Sequence, residues 1–359
     1  MRAKRVNTIS PAKLIFYGVI VVAGFLAPYL LPSYQVQMTE LWLFVVFALT
    51  WDLVGGQMGY NSFGNVVFVG VGVYACAVIQ VGLFYDVGAY TAARGGGTEF
   101  TFDAVQFVTG LAFGLPAAAV LAALAAVVLG SAVLGLRGHY FAICTLGLGI
   151  AAGEIAAGWD WLGGGSGMTT PEAPRTLGDI GKLLYYLAFG LAAATFAVIA
   201  WLLRSRFGLA INAIRDDEDK AEAMGLYTTR IKVTAWVIAA VFLGVAGGLY
   251  GNLKTFIDPI DVAFSGATIG VWMVLMAILG GKGTLWGPVI GAVVFQITKE
   301  LFWTYLLGWQ RVALGVMIVL IVVFFPEGIM GWLRERFPER FGHRVDERMA
   351  RETAGGGSQ

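Results

Sequence analysis

Long apolar runs alternate with short polar connections from one end of this chain to the other. Ten runs read as bilayer-crossing helices: 13–33, 40–56, 63–85, 104–136, 138–158, 181–203, 233–256, 264–280, 284–306 and 309–328. Such a helix needs about 20 mostly apolar residues, because hydrocarbon is about 30 Å thick and each residue rises about 1.5 Å. The fourth run exceeds that need, so it tilts or begins outside the hydrocarbon. The expected fold class is all-α, a polytopic membrane protein of about ten transmembrane helices. The basic stretch MRAKRVNTISPAKL resembles the start of a signal peptide. The run behind it ends in PYLLPSY with no small-residue cleavage site, so it reads as a retained first span. Residues 1–12 and 329–359 read as polar tails, and 13–328 as the transmembrane domain.

The polar connections set an orientation. Cytoplasmic loops collect Lys and Arg. With both termini cytoplasmic, eighteen of the 24 Lys and Arg fall inside, and Arg94, Arg175, Lys182, Lys254, Lys299 and Arg311 fall outside. Five spans in each half permit an inverted repeat. The stretches NSFGNVVFVGVGVYA and DVAFSGATIGVWMV share a faint likeness and would run in opposite directions.

Composition sharpens the class. The 359 residues are 58% hydrophobic and 13% charged, about half the charge of a soluble domain. Net charge is +1, which gives no basic field for nucleic acid. Cys76 and Cys144 both sit in apolar runs, so neither belongs to a disulfide framework. His139 and His343 stand far apart, and no metal site or cofactor is expected.

Several polar insertions break the apolar pattern. GGQMGYNSFGN, residues 55–65, separates the second and third runs. Its glycines tolerate unusual dihedrals, and Asn61 and Ser62 suit a helix N-cap. Irregular backbone at membrane depth must face protein or a water-filled path. The stretch therefore reads either as a capped cytoplasmic turn or as a broken helix whose N-terminus attracts a carboxylate. A turn folded back into the pore combines the two. Asn61, Ser62 and Asn65, with Thr145 and Glu154 of the fifth run, are the candidate substrate-path residues. Glu154 reads equally as a glutamate at the outer interface, and Asp52 as a snorkelling or capping residue. Residues 161–174 form an outer loop whose glycines shape a docking surface or a flexible link. Gly280, Gly281, Gly283, Gly287 and Gly291 suggest close helix packing around a tight turn.

The longest internal polar connection is 204–232, with the sequence RSRFGLAINAIRDDEDKAEAMGLYTTRIK. Ile211, Ile214, Ala221 and Met224 recur at helical spacing, and Gly225 is a natural helix stop. The spacing predicts a short amphipathic helix over 209–224. Its acids oppose an anionic membrane surface. What remains is a solvated link or a helix that inserts into a groove of a soluble partner.

At this point the residues carry a resemblance. RSRFGLAINAIRDDEDKAEAMGL is similar to the cytoplasmic signature of permease subunits of ATP-binding-cassette importers, above all the branched-chain amino acid permeases of the LivH/LivM-like family. GYNSFGNVVFVGVGVYA, LRGHYFAICTLGLG, GGGSGM, FLGVAGGLYG and LGGKGTLWGPVIGA agree in order, over most of residues 40–330. The resemblance implies a second permease subunit, two ATPase subunits at the cytoplasmic face, and an extracytoplasmic substrate-binding protein. It assigns ATPase coupling to Arg215, Asp217, Glu218, Ala221, Glu222, Ala223 and Gly225. The Ala-Glu-Ala-Met-Gly core is intact at 221–225, whereas Asn65 stands where many relatives carry His. No GxxxxGK[ST] occurs, so ATP hydrolysis falls to another chain. The substrate class the resemblance implies is branched-chain amino acids, with urea or short amides as the alternative. An ion-coupled secondary transporter using Glu154 and Asp52 is the rival of another class. A membrane-bound enzyme would need clustered His, Cys or acids at one depth, and no such cluster stands out.

Overall fold

The computed structural model describes residues 11–93, 100–306 and 328–336, with residues 308, 309, 312, 315, 316 and 319 between them. The tenth expected span, 309–328, falls mostly outside the described residues, as do most of both tails. The helices are α1 (Pro11–Leu30), α2 (Gln35–Asp52), α3 (Asn65–Gly82), α4 (Val87–Ala92), α5 (Ala104–Val133), α6 (Gly138–Ala157), α7 (Ile180–Leu203), α8 (Arg206–Asp216), α9 (Glu218–Ala223), α10 (Thr228–Lys254), α11 (Val271–Gly280), α12 (Gly287–Tyr305) and α13 (Gly328–Arg336). Among the described residues, seven helical segments are long and apolar enough to cross a membrane: 32–57, α3, α5, α6, α7, α10 and 259–280. The apolar part of α1 is shorter, Tyr17–Leu30. Helix α12 interrupts its apolar run with Gln296, Lys299 and Glu300.

Burial sorts these helices into a centre and a shell. Within the apolar 18-residue stretch of each, 83% of residues are buried for 32–57 and 78% for α3, whereas the share is 28% for α5, α6 and α7. Helices α2, α3 and α10 therefore form the protein-facing core. The outer helices turn Val, Leu and Ile outward, among them Val128 on α5 and Ile143 and Ile155 on α6. Hydrocarbon accepts such side chains at no cost.

Small residues let the central backbones touch. A Cβ at Gly280 would lie 1.7 Å from the Gly287 carbonyl oxygen, and one at Gly291 1.8 Å from that of Met276. Of the glycines read from sequence as packing residues, Gly280, Gly287 and Gly291 do hold α11 against α12, whereas Gly281 and Gly283 take positive φ, 116° and 75°, in the turn between them.

The two ends of the bundle differ. One end carries α8 and α9, together with the segments before α3 and α6 and between α11 and α12. The opposite end carries the outer loop. That loop is not a plain link: its β1 (Met168–Thr169) pairs antiparallel with β2 (Phe256–Ile257), in register Met168↔Ile257. This small ladder, the one sheet among the described residues, ties the loop to the end of α10.

Candidate functional site

Helix α2 does not end cleanly. It continues as a wide, π-type turn over Leu53–Gln57, and the chain then runs irregularly to α3. Such turns concentrate at functional sites. Asp52 does not snorkel to the surface. It is 3% exposed, and its carboxylate accepts from the Gly283 amide at 2.7 Å and from Gln57 at 3.2 Å. The carboxylate thus pins the start of this irregular stretch to the α11–α12 turn.

Helix α3 begins inside the bundle. The Phe63 amide donates to Thr145 Oγ1 at 3.2 Å, and Asn65 Oδ1 accepts from Trp236 Nε1 at 2.8 Å. Thr145 is the eighth residue of α6 and Trp236 the ninth of α10. At about 1.5 Å per residue, the start of α3 lies about 10–12 Å in from the ends of its neighbours. The turn folded inward is the arrangement found. The cap differs from expectation. Gly64, not Asn61 or Ser62, occupies the N-cap, because Ser62 Oγ accepts from the Gly64 amide at 3.2 Å and its carbonyl accepts from Trp51 Nε1 at 2.7 Å. Asn61 is exposed.

A second break approaches the first. Residues 259–270 contain two π-type turns, Pro259–Ala263 and Gly266–Gly270, before α11. A Cβ at Gly70 would lie 2.3 Å from the Phe264 ring. One at Gly270 would lie 3.8 Å from Val66 Cβ and 3.9 Å from the Phe63 carbonyl oxygen. The starts of α3 and α11 thus meet side by side while running in opposite directions. Asn65 is 1% exposed, and its Nδ2 has no hydrogen-bond partner among the described residues. The structure brings Ser62, Asn65 and Thr145 together here. Glu154 lies elsewhere, exposed near the end of α6.

The segment 204–232 folds as two helices, not one. Asp217 is extended (φ −165°, ψ 105°), and its side chain accepts from the Lys220 amide at 3.1 Å, capping α9. Ile211, Ile214 and Ala221 are buried as expected. Met224 is 84% exposed: it lies just past the last residue of α9, at the C-cap. Gly225 adopts φ +88°, the left-handed turn that ends the helix and that a Cβ would strain. Glu222, Ala223, Met224, Gly225 and Tyr227 form an exposed ridge. Arg215 pairs with Asp216 at 3.0 Å and lies against Gly59, where a Cβ would be 3.1 Å from its Cγ.

The remaining coupling candidates are held by charge. Glu218 accepts from Lys232 Nζ at 2.7 Å and from the Tyr60 hydroxyl. Lys232, 1% exposed, also donates to the Tyr60 oxygen at 3.0 Å and lies 4.6 Å from the centre of its ring. Arg137, on the α5–α6 turn, reaches Asp219 at 2.5 Å, Glu222 at 3.4 Å and Glu218 at 3.6 Å. Burial alone would raise the Glu218 carboxyl, but Lys232, Tyr60 and Arg137 together hold it below the ordinary glutamate range. Burial and Glu218 push the Tyr60 phenol up, so it stays a donor. Sequence reading missed Tyr60, Arg137 and Lys232. The one local signal was a lysine at the border between the polar connection 204–232 and the apolar run that starts at 233.

These features define a multi-pass membrane protein with a helix start recessed in its core and a charged helical pair locked to one end. The chain belongs to the family whose model is described as branched-chain amino acid transport system / permease component, which matches residues 37–324. It is 29% identical to the LivM high-affinity branched-chain amino acid permease protein of Salmonella typhimurium, over 85% of this chain and 76% of that protein. It is 25% identical to a probable LivM permease of Methanocaldococcus jannaschii, over 82% of this chain and 93% of the relative. The LivH permease of Escherichia coli is 30% identical over 38% of this chain and 44% of its own. No solved structure gives a significant match. The family is one of transport permease components rather than enzymes, and among the described residues no cluster of His, Cys, Asp and Glu could hold a metal.

Proposed function

We propose that this chain is a permease subunit of an ATP-driven importer that moves branched-chain amino acids handed over by an extracytoplasmic binding protein. It works beside a second permease subunit and two ATPase subunits. The end bearing α8 and α9 faces the cytoplasm, with both termini, and the exposed ridge at 222–227 seats in an ATPase groove. The substrate passes the junction of the two broken segments. There the first free amides of α3, its partial positive charge and Asn65 Nδ2 receive the α-carboxylate. The glycine-packed, apolar surroundings accept the aliphatic side chain. The permease makes and breaks no covalent bond. ATP binding moves α8 and α9, and that movement switches the spans between inward and outward access.

The observation that carries this reading is the recessed start of α3 on the same end as the locked helical pair. The test is leucine uptake by the assembly purified from its host through a tag on this chain and placed in vesicles. Replacing Glu222 with Lys or Gly225 with Leu should abolish ATP-dependent uptake while the permease still folds. Uptake unaffected by both changes sinks the role of α9. Uptake that survives ATP depletion but collapses with an ionophore replaces the reading with an ion-coupled carrier. Transport of urea but not leucine replaces the substrate class alone.

A further inference from the structure

Glu218 is not an exposed surface acid. It is the meeting point of three elements: α9, which carries it; α10, which supplies Lys232; and the irregular stretch before α3, which supplies Tyr60. Tyr60 in turn abuts Phe141 of α6, edge to face, with ring centres 5.2 Å apart. Phe141 packs on Trp236 of α10 at 6.1 Å. Trp236 packs on Phe68 of α3 at 5.0 Å and donates its indole N–H to Asn65 at 2.8 Å. Phe141, Trp236 and Phe68 are each at most 1% exposed. Close-packed rings of this kind shift as a unit because no void can absorb their displacement.

We infer that Tyr60 and Lys232 are positioning residues that join Glu218 of α9, through Phe141 and Trp236, to Asn65 at the recessed start of α3. A tilt of α9 carries the Glu218 carboxylate with it. Lys232 and the Tyr60 hydroxyl follow because, among the described residues, Glu218 is the one carboxylate that either meets, and leaving a buried lysine unpaired is costly. Displacement of the Tyr60 ring presses on Phe141, and Trp236 then moves the side chain that lines the α3 start. The inference rests on the proposed transport role of α9 and adds the route by which that helix reaches the substrate path.

Two measurements test it. The first is hydrogen exchange on the full chain in lipid nanodiscs, which needs no transport. Tyr60→Phe keeps the ring and removes only the hydroxyl, so it should leave the bundle folded while raising exchange of the amides at 63–67 at least fivefold. Exchange that changes only at 217–224 overturns the linkage. The second is leucine uptake per ATP hydrolysed by the purified assembly. Tyr60→Phe and Glu218→Gln should each lower it at least tenfold with ATP hydrolysis retained, and the double variant should fall no further. Multiplicative losses mean that the two act separately and overturn the linkage. A wild-type assembly that shows no ATP-dependent uptake at all would defeat the proposed function instead, leaving the exchange result to judge the linkage by itself.

Discussion

Lys232 is almost fully buried, and its partners explain how the fold tolerates it there. A buried pair gains less than it costs to dehydrate unless further hydrogen bonds complete it, and here Tyr60 completes it. Removing one partner is therefore expensive: Lys232→Met should destabilise the fold by about 3–5 kcal/mol, read from thermal unfolding in detergent. The pH dependence follows from Glu218, whose carboxyl is held below its ordinary range despite burial. A depressed carboxyl contributes stability above its unfolded pKa and loses it as pH falls through the folded one. The stability gap between wild type and Glu218→Gln should be full at neutral pH and close below about pH 4. A gap that widens on acidification would contradict the assignment. Glu218 could be named from sequence, whereas its partners could not. They lie 14 and 158 residues away along the chain, and nothing in local spacing links them.

At the scale of elements, backbone geometry decides what the helices can do. Sequence periodicity located most spans within a few residues, because an apolar run of fixed length is dictated by bilayer thickness. It could not place the breaks. Asp217 splits a helix that spacing alone makes continuous, since an aspartate that caps the next helix competes with the one before it. The cap of α3 lies at Gly64, two residues past Ser62 and three past Asn61, because Ser62 is engaged with Gly64 and Trp51. Close approach is the other element-scale device. A methyl group at Gly291 would fall 1.8 Å from a carbonyl oxygen, so α11 and α12 must part to admit it. Gly291→Ala should cost at least about 1–3 kcal/mol, the usual penalty of overpacking, measured as a lowered melting temperature. Unchanged stability would mean that the two helices are not in contact.

Across the whole molecule, charge binds the two ends in different ways. At the end away from α8 and α9, Glu40 of α2 accepts from Lys254 of α10 and from Lys299 of α12, the latter at 2.5 Å. Lys299 also lies 4.9 Å from the Phe44 ring centre. This triad clamps three helices at one end, while the Glu218 cluster clamps α9, α10 and the α3 entrance at the other. Glu40→Gln leaves two cations facing each other with one neutral acceptor. It should therefore destabilise the bundle by about 3 kcal/mol or more, and Glu40→Asp less, as read by thermal unfolding in detergent.

The sequence by itself determined the class, most of the spans, the amphipathic character of 204–232 and the family, because hydropathy and local spacing are properties of neighbours along the chain. Tertiary structure alone decided that the turn before α3 enters the bundle, that Asp52 and Lys232 are buried, and that Tyr60, Phe141 and Trp236 stand in line between Glu218 and Asn65. Those facts depend on contacts between residues far apart along the chain, 82 positions for Phe63 and Thr145 and 171 for Asn65 and Trp236, and only the packing of helices against one another fixes which of them meet.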